Sequence, residues 1–194
     1  MKIGVLALQG DFREHRISLE KLGADVTEVR LPQQLQDLSG LILPGGESTT
    51  IGKLLIAYEL MDAVRVFGQT KAVWGTCAGA ILMAKSVGAN QPLLELMDIT
   101  VQRNAFGRQI DSFEINLPVP FLTPPEPDYH LTFIRGPIIS EVYGNAQPLL
   151  SLPDGRIIAA QQGKLLATSF HPELTDDLRF HSYFLELAKS ASVN

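Results

Sequence analysis

Four short apolar runs, spaced by amphipathic stretches, most constrain what this chain can fold into. Residues 2–8 form a near-continuous apolar run, the pattern of a strand covered on both faces. Asp11 is expected to cap and open a helix that Gly23 closes. A second strand is expected over 24–30 and a third over 40–44, running into Gly45-Gly46. From about Ser48 a helix is expected to reach Phe67, with Ile51, Leu54, Leu55, Tyr58 and Met61 on one stripe. A fourth strand covers 72–75, and the small residues Ala78, Gly79 and Ala80 begin another helix. This β-α-β-α rhythm predicts a parallel sheet with helices on both faces.

After residue 90 the rhythm changes. Segments near 98–103, 110–117, 131–135, 148–152, 156–161 and 164–170 read as strands separated by Pro and Gly signals. Residues 118–127 hold five of the twelve prolines, which predicts an exposed loop without regular structure. A last helix is expected from about Asp176 to Lys189, turning Phe180, Tyr183, Phe184 and Leu187 inward, with Asp176 and Asp177 at its positive end. No linker or repeat divides the chain, so residues 1–194 are expected to form a single domain. The expected fold is α/β and three-layered: a flavodoxin-like, mostly parallel sheet with helices on both faces and antiparallel strands added in the second half.

Composition narrows the function classes. A net charge of −5 offers nucleic acid no electrostatic footprint. No apolar run approaches the roughly 20 residues that cross a bilayer, and the first residues lack a signal peptide's cleavage region. Cys77 is the one cysteine, so no intramolecular disulfide framework exists and a cytoplasmic location is expected. Neither nucleic acid nor membrane is an expected partner.

The strongest chemical signal is Gly75-Thr76-Cys77-Ala78-Gly79, between an expected strand and an expected helix. A nucleophile on such a sharp turn projects clear of the sheet, and the flanking glycines relieve crowding there. Free N–H groups at the helix mouth favour a negative sulfur. A lone cysteine is more often a small buried hydrophobe; the glycines and the strand–helix junction favour the nucleophile. His171 follows the strand-like 164–170 run, and the C-terminal edges of parallel strands share one crevice, where it can meet Cys77. Glu173, two residues on, can orient its far imidazole nitrogen, as in a catalytic triad. Of the other histidines, His130 reads as solvated, His181 as structural or exposed within a helix, and His15 as a helix-face residue near the first strand's edge.

An oxyanion needs two donors. The backbone N–H of Ala78 is one candidate, and the main chain at Gly45-Gly46 supplies the other. Glu47 and Ser48 could bind the ammonium and carboxylate of an amino acid, with helix capping the competing reading for Ser48. Arg103 and Arg135 suit a carboxylate, although an arginine at a strand end is usually a solvated charge.

Taken together, these residues resemble the triad class of glutamine amidotransferases. Within it they are similar to the glutaminase subunits of pyridoxal 5′-phosphate synthase, the PdxT family. The resemblance is carried by 6–10 with Arg13-Glu14-His15, by Leu43-Pro44-Gly45-Gly46-Glu47-Ser48-Thr49-Thr50 and by the cysteine elbow. Further on it is carried by Arg103-Asn104-Ala105-Phe106-Gly107-Arg108-Gln109 with 111–114, by 133–137 and by Ser169-Phe170-His171-Pro172-Glu173-Leu174. It implies Cys77 as nucleophile, His171 as base and acid, and Glu173 as its orienting partner. It also implies L-glutamine contacts from Gly46, Glu47, Ser48, Arg103, Ile134 and Arg135, with neither cofactor nor metal. The implied partner is a PdxS-type synthase subunit, in a hetero-oligomeric complex that uses the ammonia to build pyridoxal phosphate. From composition and spacing alone, the residues reach only a thiol hydrolase. A cysteine peptidase, a glutaminase serving another synthase and a non-catalytic module on a similar sheet remain alternatives.

Overall fold

The structure is a computed structural model that describes residues 1–103 and 112–190. Along the first half come β1 (Lys2–Leu6), α1 (Phe12–Lys21), β2 (Asp25–Val29), β3 (Gly40–Leu43), α2 (Ser48–Ala57) and α3 (Leu60–Gly68). Then follow β4 (Ala72–Thr76), α4 (Ala78–Met83), β5 (Ala84–Ser86), β6 (Met97–Gln102), β7 (Ser112–Leu117) and β8 (Tyr129–Ile134). The chain continues through β9 (Ile138–Val142), β10 (Gln147–Ser151), β11 (Ile157–Gln162), β12 (Leu165–Thr168) and α5 (Arg179–Ser190).

Five strands run parallel in the order β2-β1-β3-β4-β12, the flavodoxin-like arrangement with its last strand supplied from late in the chain. Their residues alternate between two cores, as strand geometry requires. Ile3, Val5, Ile42, Trp74 and Leu166 join the core under α1 and α5, which also holds Phe170, Phe180 and Phe184. Leu6, Leu41, Leu43, Val73 and Ala167 join the other core, under α2, α3 and α4. Register aligns Ile42, Trp74 and Leu166 across the sheet centre. Beyond β12 the sheet turns antiparallel through β11, β9 and β6, with β5 parallel to β6 at its edge and β10 against β11. β7 and β8 form a separate antiparallel pair in which Phe113 stacks on Phe133. Among the described residues no helix is long and apolar enough to cross a membrane.

The fold differs locally from the sequence expectations. The helix expected over 48–67 is two helices, because Glu59 turns into the left-handed region (φ 59°) and redirects the chain. The break lets α3 turn Leu60, Met61, Val64 and Phe67 inward, while Tyr58, assigned to the inward stripe, is exposed. β5 and β9 were not expected. The 118–127 segment has no helix or strand, yet it is not wholly exposed: Val119 and Leu122 are buried and anchor it to the α5 core. Residue 11 does precede α1, but its carboxylate makes no cap hydrogen bond. Residues 104–111, which carry part of the family resemblance, lie outside the described residues.

Candidate active site

The turn from β4 into α4 puts Cys77 at φ 47° and ψ −102°, a conformation that a residue with a side chain adopts only when its surroundings hold it there. Close packing does so. A Cβ added at Gly75 would lie 2.5 Å from the Gly79 carbonyl, and one added at Gly79 would fall onto the Leu43 carbonyl oxygen. The two glycines thus let α4 sit directly on the ends of β3 and β4, with the sulfur at its mouth. Cys77 N–H also donates to the Thr168 carbonyl at 2.8 Å, which ties the elbow to β12.

β12 leads straight to the imidazole. Three residues past its end, His171 N–H donates to the Thr132 carbonyl at 2.9 Å, fixing the backbone against β8. Pro172 then begins a tight turn that folds Glu173 back, so that Glu173 Oε1 stands 2.7 Å from His171 Nδ1. With Nδ1 engaged, Nε2 is left for the sulfur. Burial alone would lower the His171 pKa, but hydrogen bonds and charge from Cys77 and Glu173 outweigh it and hold it up at about 10. Burial pushes the Glu173 carboxyl up, while its bond to His171 pulls against that rise. Cys77, His171 and Glu173, expected together from sequence, are brought together.

An open cleft of about 550 Å³ reaches the sulfur. Cys77, Ala78 and His171 line it together with Gly46, Glu47, Ser48, Arg103, Ile134 and Arg135. Nine of the eleven expected site residues therefore share this cleft. Glu173 is buried behind His171, and the Gly45 carbonyl accepts from Asp11 N–H at 3.1 Å. Gly46 takes φ 151°, and a Cβ there would come within 2.6 Å of Gln9 Oε1. Two larger depressions, about 940 and 720 Å³, border Arg65 and α3 away from the sulfur and hold neither Cys77 nor His171.

Helix capping falls to Glu47 rather than Ser48. Its carboxylate accepts from Thr49 N–H at 3.0 Å and from Thr50 N–H and hydroxyl, each at 2.7 Å. The Thr50 hydroxyl, with these backbone donors, outweighs burial and draws the carboxyl pKa to about 2. Ser48 instead donates to Gln91 Oε1 at 3.2 Å. Arg103 donates to the same Gln91 oxygen at 2.8 Å and to Thr49 at 3.3 Å, and its other amino group lies 3.5 Å from Glu47. The guanidinium is therefore held in place rather than trailing in solvent.

Sequence reasoning gave no part in the site to Gln9 or Gln91, and read Asp11 only as a helix cap. Gln9 Oε1 accepts from Glu47 N–H at 2.8 Å and so braces the Gly45-Gly46 strand end. Asp11 Oδ2 lies 3.7 Å from His171 Nδ1, and burial raises its carboxyl pKa against the pull of His171. Asp11, His171 and Glu173 bring possible metal-ligand atoms within 4.8 Å of one another, but the His171–Glu173 hydrogen bond already occupies two of those atoms. His130 is exposed beside Asn116, as expected. His181 takes the structural of its two expected readings, and the helix face that His15 occupies is the inward one: both are fully buried and bonded to each other. Each lies in its helix's inward stripe, beside Ser18 and Leu19 in α1 and among Phe180, Phe184 and Leu185 in α5. That spacing was the available signal.

A strained cysteine beside an oriented imidazole, at the C-terminal edge of such a sheet, is the arrangement of a thiol-hydrolase class of site. The model of the SNO glutamine amidotransferase family matches residues 5–190. The chain belongs to that family. It is 55% identical over 192 residues to the pyridoxal 5′-phosphate synthase subunit PdxT of Herpetosiphon aurantiacus, covering 96% of this chain and 100% of the relative. It is 53% identical to the subunit of the same name from Moorella thermoacetica, over 96% of this chain and 99% of the relative. A crystal structure of a glutamine amidotransferase superposes with a TM-score of 0.90 at 48% identity, covering 96% of this chain and 98% of that one. A glutamine amidotransferase from Thermotoga maritima, 12% identical, shares the fold with a TM-score of 0.62 over all of this chain and 86% of its own.

Proposed function

We propose that residues 1–194 form a single glutaminase domain in which Cys77, His171 and Glu173 hydrolyse L-glutamine to L-glutamate and ammonia. The ammonia is passed to a PdxS-type synthase subunit that makes pyridoxal 5′-phosphate. Membership of a glutamine amidotransferase family and the PdxT names of its relatives support the substrate and the partner. The observation that carries the chemistry is the His171–Glu173 bond of 2.7 Å, which orients the imidazole in the cleft that Cys77 also lines.

Cys77 Sγ attacks the side-chain amide carbon of glutamine. The developing oxyanion is received by the N–H of Ala78 and the main chain at Gly45-Gly46. His171 gives its Nε2 proton to the leaving ammonia, and a glutamyl thioester remains on Cys77. Water then attacks the thioester while His171 takes its proton, releasing glutamate. Glu173 keeps the ring aligned and offsets its positive charge. Arg103 and Arg135 suit the α-carboxylate. The cytoplasm, where a lone thiol stays reduced, is the fitting compartment.

The experiment is ammonia release from glutamine by the purified chain, with and without its synthase, for wild type and Cys77→Ala. Release by wild type, raised by the synthase and lost in a variant that still binds glutamine, is the expected result. Undiminished turnover by Cys77→Ala refutes the assignment.

A further inference from the structure

The triad's carboxylate faces a second imidazole. Glu173 is buried, and its Oε2 has no hydrogen-bond partner among the described residues; His15 Nε2 stands 3.4 Å away. That nitrogen is shared with the Thr76 hydroxyl at 3.1 Å, and His15 Nδ1 lies 3.0 Å from His181 Nε2. The rings of His15 and His181 pack edge-on against Trp74. Line and triad therefore join β4, α1, the turn after β12 and α5.

We propose that His15 is a positioning residue for Glu173, presenting Nε2–H to Oε2 and extending the line from Cys77 through His171 and Glu173 to His181. The inference rests on the triad assignment made above. A carboxylate oxygen attracts an imidazole nitrogen only if that nitrogen carries hydrogen, because two lone pairs repel. Placing the proton on Nε2 leaves Nδ1 bare to accept from His181 Nε2–H. His181 Nδ1 is then a bare acceptor, which matches its burial without a partner among the described residues. Burial first, then the neighbouring imidazoles of His181 and His171, which oppose a further positive charge, keep His15 neutral, so it supplies a dipole where a second cation would compete with His171. No proton moves along the line. His15 acts by holding Glu173 ionised and aimed at His171.

Two variants and one measurement on wild type test this. His15→Phe keeps a ring of similar size but no donor, and His15→Gln keeps an N–H at the reach of Nε2. With glutamine and synthase present, His15→Phe is expected to lower kcat about ten-fold or more, the worth of a hydrogen bond to a charged group. Its KM for glutamine should stay within about two-fold, and the alkaline limb of its pH profile should move to lower pH as His171 loses counter-charge. His15→Gln is expected to restore most of kcat and the profile. Folded variants with wild-type kcat and an unmoved pH profile overturn the proposal, as do equal losses in both variants with an unmoved profile. Should neither variant fold, heteronuclear NMR of the imidazole nitrogens in wild type decides. Protonated Nε2 and bare Nδ1 on His15 support the proposal, and the reverse tautomer overturns it. That readout needs no turnover, so failure of the triad assignment, seen as Cys77→Ala retaining activity, is distinguishable from failure of the His15 role.

Discussion

Glu173 Oε1 lies 2.7 Å from His171 Nδ1, a contact made within a turn of only two residues by the intervening Pro172. It fixes which nitrogen faces the sulfur, and it places the compensating negative charge on the side of the ring away from substrate. Burial by itself would lower the His171 pKa; Cys77 first, and then Glu173 so placed, hold it up.

Glu173→Gln keeps the shape and removes the charge. By analogy with loss of the acid in a serine-protease triad, kcat for ammonia release should fall by about a thousand-fold or more. KM for glutamine should change little, because the carboxylate is buried behind the ring and does not line the cleft. Steady-state kinetics in the presence of synthase check both numbers.

Gly79→Ala tests the packing that holds the elbow. The new methyl would meet the Leu43 carbonyl oxygen, so α4 must move off β3 and carry Cys77 with it. A loss of stability of about 1–3 kcal/mol is expected from overpacking, together with loss of glutamine turnover. Urea unfolding gives the first quantity and ammonia release the second.

Arg103→Lys tests carboxylate recognition. Gln91 and Thr49 hold a planar guanidinium that a flexible ammonium cannot imitate. KM for glutamine should rise about ten-fold with kcat within about two-fold, the signature of lost binding shared by ground and transition states.

Acid should unfold the protein through its buried histidines. Burial lowers the pKa of His181 to about 3; burial and neighbouring charge put His15 well below its ordinary value. Both have depressed folded pKa values, so the unfolded chain binds more protons as pH falls below about 6.5, and stability is lost in that direction. His171 adds nothing there, being protonated in both states; its contribution is present below about pH 6.5 and lost as pH rises through about 10. The raised Glu173 carboxyl offsets part of the acid effect. Between pH 6 and 4 the unfolding free energy should fall by up to about 2.7 kcal/mol per pH unit. Urea titrations of His181→Phe should show that slope reduced by about half.

Much of this was legible in the residues. The parallel core followed from apolar runs, because a strand covered on both faces leaves a pattern that amphipathic helices do not. Cys77 and His171 were legible because each ends a strand that the sheet aligns at one edge. What could not be read depends on neighbours distant in sequence. Glu59 carries no glycine-like or proline-like mark, so the break between α2 and α3 is dictated by the need to face Val64 and Phe67 inward. Glu47 became a helix cap in place of a free acidic group because the chain enters α2 extended, with Thr49 and Thr50 N–H facing its carboxylate. The pairing of His15 with His181 could not be read, because it arises only when two helices from opposite ends of the chain meet over Trp74.

In the proposed mechanism Cys77 and His171 work as one unit. The most direct measurement is ammonia release by Cys77→Ala, His171→Asn and the double variant, each with synthase present. Either single change should reduce release to background, with the double variant no lower, as expected of residues that act together. A His171→Asn chain that still releases ammonia at the wild-type rate would contradict it.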